Sequence, residues 1–473
     1  MSDVHTRRRI LLGLGGIAGV MASSPVSARQ DDPSVVIVGD MAGTVHALEV
    51  ETGATVWQFE SDHTGFSSSP TVVEGTVFIG SRGDGTAGGS VFAIDAATGD
   101  LEWEAQVFAG WVRSSPTVVD DTVYIGGPGE SESGVSGSVY ALEAATGDVQ
   151  WSVTGLGPAT VDASPAVVDD TVYVGVTDYD GGQGGFYALE AASGDERWSV
   201  ETAVENASSA MTVIDGLVIG VDTGAGGDVY GIDEASGDVE WTSERPAPDA
   251  FGSPTPADGV VILTAGEGTD QGAKTVYALE PATGELEWET TEPDGQLLTS
   301  PVVVRDRVYV GGTSEGGGAL WALETGSGDT EWTSDGFTSP VASTPTVASG
   351  LVFVCLESGV LQAIDAENGE PRWDEPLSTS GVTSSPTVVT DPSSGHSVDA
   401  RVERGTLGHH HLWDTDEGED SDPIPGFGML SALTAIGGGA YALYRRGWAT
   451  AGSDSPSSGE RKCDSTHCTS VDS

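Results

Sequence analysis

The chain runs to 473 residues and carries 73 acidic against 18 basic side chains, a formal net charge of −55 at neutral pH. A surface so rich in carboxylate repels phosphate backbones and anionic head groups, which excludes nucleic acid as a partner. Apolar residues at 38% and 12 tryptophans support a packed core, while 68 glycines point to a turn-dense, β-rich chain.

Carboxylates at this density repel one another in dilute buffer, whereas molar salt contracts the screening length to about 3 Å at 1 M. The composition therefore predicts a halophilic protein, its carboxylates holding water and solubility in brine. Cys355, Cys463 and Cys468 make neither a disulfide framework nor a zinc site, and Cys355 reads as a small buried hydrophobe inside a strand. No Cys-x-x-Cys-His occurs, so covalent c-type haem attachment is excluded.

Residues 1–28 predict an export signal. Arg7-Arg8-Arg9 leads into Ile10-Leu11-Leu12, a Gly/Ala-rich apolar stretch reaches Met21, and Val26-Ser27-Ala28 supplies the small-residue exit. The pair Arg7 and Arg8 followed at once by hydrophobics resembles a twin-arginine signal, which exports folded proteins. The apolar stretch is short for a bilayer span, which needs about 20 residues. No Cys follows it to carry a lipoprotein anchor.

Residues 33–391 repeat one motif. Trp57, Trp103, Trp151, Trp198, Trp241, Trp288, Trp332 and Trp373 recur at steps of 41 to 48 residues, the length of a four-stranded propeller blade. Ten residues before each stands Ala47, Ala93, Ala141, Ala188, Gly231, Ala278, Ala322 or Ala363; four before stands a glycine, from Gly53 to Gly369. In the second unit Ser69-Pro70-Thr71-Val72-Val73 is a strand entered through proline, followed by strands at Val77–Gly80 and Ser90–Asp95. Thr98-Gly99-Asp100 turns the chain, Gly99 taking the positive φ of a tight hairpin, and Leu101-Glu102-Trp103 opens the outer strand. A small residue spaced from Trp in this way predicts an indole laid on a neighbouring blade, with the tryptophans structural rather than ligand-stacking. The pattern Ala-x-Asp/Glu-x-x-Thr-Gly-x-x-x-Trp resembles the tryptophan-docking motif of pyrroloquinoline-quinone-type (PQQ-like) propellers, a family of quinoprotein dehydrogenases and BamB-like assembly factors. The resemblance implies an all-β, eight-bladed propeller of four-stranded blades.

Ring closure is predicted too. The first unit begins at Val35-Val36-Ile37-Val38-Gly39 without the Ser-Pro-Thr-Val-Val strand of the others, and that strand appears alone after the last Trp as Ser385 to Val389. Lent to the first blade, it removes the open edge.

Residues 392–424 form an acidic linker expected to be disordered. It contains His409-His410-His411, which reads as adventitious metal affinity with no scaffold behind it. Pro425, Gly426 and Phe427 open residues 425–446, an uncharged apolar stretch closed by Arg445-Arg446 and just long enough to span a bilayer. This resembles the PGF-type sorting signal of surface proteins in halophilic archaea, although a polar tail, 447–473, follows here. The two ends together predict an exported protein held at the cell surface through a C-terminal membrane anchor.

Chemistry is sparse. Asp178 to Gly185 alternates carboxylates and glycines without EF-hand spacing and reads as a solvated loop. Asn206-Ala207-Ser208 is a glycosylation acceptor sequence, Cys463 and Cys468 with His467 sit in the tail, and no catalytic grouping stands out. The leading function is a protein-binding or assembly scaffold with envelope proteins as partners, no cofactor and no metal site. The alternative implied by the resemblance is an extracytoplasmic PQQ-dependent oxidoreductase acting on alcohols or sugars with Ca²⁺. It lacks the adjacent cysteine pair of that branch, and whether the chain is an enzyme stays open.

Overall fold

A computed structural model describes residues 34–391 and 396–397, apart from 84–87, 132–133, 158–159, 178–183, 201–203, 205, 224–227, 244–248, 251, 258, 267–272, 292 and 294. The expected export signal with Arg7 and Arg8, the linker histidines, the expected sorting signal at Pro425-Gly426-Phe427 and the tail lie outside the described residues, as does most of the Asp178 loop. Among the described residues no helix is long and apolar enough to cross a membrane.

The described strands form eight antiparallel sheets, each built around one Trp repeat. In the second blade the order from inside out is Thr71–Val73, Thr76–Gly80, Ser90–Asp95 and Leu101–Gln106. The two inner strands of a blade meet through two-residue turns such as Glu74-Gly75, Asp120-Asp121 and Asp215-Gly216, with both central residues at positive φ. That is the hairpin whose twist suits the strands, and short Asp and Gly tolerate it. The middle strands are buried on both faces, because a blade is covered by a neighbour on each side; Ser90–Asp95 has only its last residue partly exposed. The core is accordingly a series of layers between blades. One joins Val35, Ile37 and Trp57 of the first blade to Val77, Ile79 and Phe92 of the second.

The docking geometry refines the expectation. Each small residue ten before a Trp lies directly across the strand pair from that same Trp within its own blade, as Ala47 does from Trp57 and Ala93 from Trp103. In the fifth blade a Cβ on Gly231 would stand 2.1 Å from Trp241 Cε2, which explains glycine where the others have alanine. The neighbouring-blade contact falls instead on the turn glycine: a Cβ on Gly99 would meet Trp57 at 2.7 Å, and Gly53 meets Trp373 at the same distance. Each indole N–H also donates to a backbone carbonyl of the next blade, from Trp57 to Ala96 at 2.9 Å round to Trp373 to Val50 at 3.0 Å. The acidic residue of the motif ties the turn. Asp95 Oδ1 accepts from the backbone N–H of Ala97 and Thr98 and from the Thr98 hydroxyl.

The ring closes as expected. Strand Thr387–Asp391 pairs antiparallel with Val35–Gly39 in the register Val35↔Val389, Val36↔Val388 and Ile37↔Thr387. A short strand, His396–Ser397, adds to the inner side of Thr387–Asp391, Val389 facing Ser397. A second belt sits near the axis. Thr71 Oγ1 donates to Pro116 O at 2.6 Å, Thr117 to Pro165 O, Thr212 to Pro254 O, Thr255 to Pro301 O, and Thr387 back to Pro70 O at 2.6 Å. Ala166 and Val302 occupy that strand position in the fourth and seventh blades, which therefore lack the hydroxyl.

Candidate functional site

The strand directions give the propeller two unlike rims. One carries the tight turns, with their Thr-Gly pairs. The other, the crossing rim, carries the links from each outer strand to the next inner strand.

Arg82 follows the strand Thr76–Gly80, while Trp111 and Arg113 lie in the link between Leu101–Gln106 and Thr117–Val119. The Arg82 guanidinium carbon sits 4.1 Å from the Trp111 ring centroid and that of Arg113 5.8 Å from it. Trp111 nevertheless stays 47% exposed. Arg113 is held from the far side by Asp162, N to O 3.0 Å. Arg82 Nη1 donates to the Met41 sulfur at 3.6 Å, while its buried Nε finds no acceptor. Burial and the nearby Arg113 guanidinium both push the Arg82 pKa down. Arg82 has no carboxylate partner among the described residues. In a chain with 73 acids that arrangement is unusual.

Beside it, His63 bridges Ser81 and Glu104: Nδ1 lies 2.8 Å from the Ser81 hydroxyl and Nε2 3.1 Å from Glu104 Oε1. The sequence suggested no such grouping. Ser81 is fully buried and its hydroxyl oxygen also accepts from the Ser90 N–H, so no substrate reaches it. The trio ties the first link to the second blade.

A second buried set lies in the first blade. Asp40 Oδ1 accepts from the backbone N–H of Ala42 and Thr44, closing the hairpin, and Oδ2 lies 3.0 Å from His46 Nε2. Gln58 donates its amide N–H to His46 Nδ1, which leaves Nε2–H to face the carboxylate. Burial alone would raise the Asp40 pKa, but the His46 and backbone hydrogen bonds outweigh it and the net shift is downward. A depressed carboxylate adds stability that is present above its ordinary range, about pH 4, and is lost as pH falls through the folded-state value. Asp40→Asn should cost about 1–3 kcal/mol at neutral pH and flatten the acid limb of the stability curve. Urea melts from pH 7 down to 3 check this, and parallel curves for both proteins would count against it.

All eight tryptophans of the repeat donate their indole N–H to the next blade, and Asn206 lies on the crossing rim, where its backbone N–H donates to buried Asp222. Cys355 is buried in its strand. Among the described residues no three His, Cys, Asp or Glu side chains converge as a metal-ligand set. The repeat does not mark Arg82, Trp111 or Arg113. The available signal is a departure from it, since Trp111 falls outside the docking register and Arg113 follows two residues later.

The family described as outer membrane protein assembly factor BamB matches residues 41–182, 135–270 and 250–419. No curated protein sequence matches the chain. Among solved structures, the computationally designed Ika8 protein is similar at 15% identity, covering 69% of this chain and 94% of its own, with a TM-score of 0.54. BamB from Moraxella catarrhalis is 19% identical over 72% of this chain and 92% of its own, TM-score 0.50. A europium-containing methanol dehydrogenase is 14% identical over 78% and 90%, TM-score 0.53. At these identities the structural likeness speaks for the fold alone.

Proposed function

Because this chain belongs to the family of the outer membrane protein assembly factor BamB, we propose that it works as a protein-binding and assembly scaffold at the cell envelope. The observation that carries this reading is the family match, which runs across the ring from the first blade to the closing strand. A closed ring with its indoles and axial hydroxyls spent on holding blades together leaves the rim loops to bind partners. Envelope proteins are the partners, reached by export through the Arg7-Arg8 signal and retained by the apolar segment after Pro425-Gly426-Phe427. Crosslinking in molar salt followed by purification of the complex tests the reading. Repeated failure to recover any envelope protein would sink it.

The same proposal places the protein in brine. Its charge predicts a melting temperature that falls steeply from molar salt to millimolar buffer, because the repulsion of 73 carboxylates is then unscreened. An unchanged melting temperature across that range would refute the halophilic part.

The oxidoreductase alternative draws support from the likeness in fold to the methanol dehydrogenase. Weighing against it, no three His, Cys, Asp or Glu side chains converge among the described residues, and Asn206 and Asn368 sit on opposite rims. Dye-linked oxidation after adding quinone and Ca²⁺ decides between the two readings.

A further inference from the structure

We propose that Arg82, Trp111 and Arg113 form the docking point for an acidic peptide segment of an envelope protein, one that brings an apolar or aromatic side chain beside its carboxylates; this rests on the scaffold reading above. Among the described residues four arginines pair with acids: Arg113 with Asp162, Arg197 with Glu190, Arg307 with Glu331 and Arg372 with Asp365. Arg82 is half-buried and meets a thioether and an indole instead, with one N–H unanswered. A guanidinium with a buried, unanswered Nε and no carboxylate partner among the described residues has capacity left for a carboxylate, which it grips with two parallel N–H···O bonds. Trp111 supplies the other half of a contact, a large amphipathic ring still 47% exposed. Trp and Arg side by side, partly desolvated, are the residues that dominate binding energy at protein interfaces.

The complementary charge must be negative, and the salt regime decides how it is read. At molar salt a screening length of about 3 Å removes long-range attraction and long-range repulsion alike. What survives is contact: a bidentate ion pair and a stacked or buried ring. The protein's own net charge of −55 repels an acidic ligand in dilute buffer. Binding at this patch should therefore strengthen as salt rises toward molar, opposite to the usual trend for an arginine–carboxylate pair.

The probe is a fluorescein-labelled peptide of aspartate and glutamate around one phenylalanine, titrated with the full chain and followed by anisotropy across salt concentration. The account expects saturable binding that tightens with salt and weakens about tenfold or more in Arg82→Gln and in Trp111→Ala, the order of one charge-assisted or hot-spot contact. Both variants should melt like the parent, and Arg82→Lys should restore only part of the affinity. Equal binding of a peptide with asparagine and glutamine in place of the acids would overturn the proposal, as would undiminished binding by Arg82→Gln. Tightening lost only in chains that end at residue 400 would assign the effect to the protein's own C-terminal segment, which also overturns it. A photo-crosslinker at position 98, on the turn rim, separates the two readings: envelope adducts there and none at position 109, beside the patch, sink this patch and keep the scaffold.

Discussion

A chain ending at Thr383 should melt far below one ending at residue 400. The strand Thr387–Asp391 belongs to the last part of the sequence but to the first blade of the ring. Removing it bares the edge of Val35–Gly39 and breaks ties on both sides. Ser385 Oγ accepts from the Thr344 N–H, the Ser385 N–H donates to Ser69 Oγ, and Thr387 Oγ1 donates to Pro70 O. Val388 and Val389 are also fully buried, Val388 in the layer shared with Phe353 and Leu361 of the eighth blade and Val389 in the layer of Val35 and Ile37. At about 1.5–3 kcal/mol for each buried aliphatic side chain, the two valines alone account for about 3–6 kcal/mol before the hydrogen bonds are counted. That is comparable with the whole stability of many domains, about 5–15 kcal/mol. Circular dichroism melts of the two chains in molar salt read the difference. Equal melting temperatures would mean that the ring is not closed by this strand.

The second large effect concerns the indole staples. Trp57→Ala should cost about 3–5 kcal/mol, the range for truncating a large aromatic in a core. Trp57 is 8% exposed, packs on Gly99 and donates to Ala96 O. Gly99→Ala should also be costly, for two separable reasons. Its φ of +75° disfavours any side chain, and its Cβ would fall 2.7 Å from Trp57 Cε3. In the double variant the collision disappears and only backbone strain remains, so the two costs should fall short of additive by about 1 kcal/mol or more. Strict additivity in denaturant melts would show that Gly99 is not the platform for Trp57.

The fold is legible in the sequence because its period is written in residues with single purposes. A Trp that must lie on a backbone requires a glycine there, and the absent first strand beside the surplus last one announces closure. What the sequence conceals are contacts whose partners lie one blade apart. The Gly99 platform serves Trp57, 42 residues earlier, while the alanine ten before each Trp, which attracts attention first, faces its own blade. The Pro-Thr pairs look like ordinary β-forming residues until Thr71 is seen reaching Pro116 O. Likewise His63, Ser81 and Glu104 come from three different links and strands, and Arg82 and Trp111 meet only because blades two and three share a rim.

The central claim is that the ring binds envelope proteins, and in-cell photo-crosslinking from the crossing rim tests it most directly. With the crosslinking residue at position 109, exposed in the same link as Trp111, and cells kept in molar salt, the account predicts one discrete adduct with an envelope protein, lost in Arg82→Gln. No adduct from positions on either rim, together with saturable dye reduction once quinone and Ca²⁺ are supplied, would contradict it.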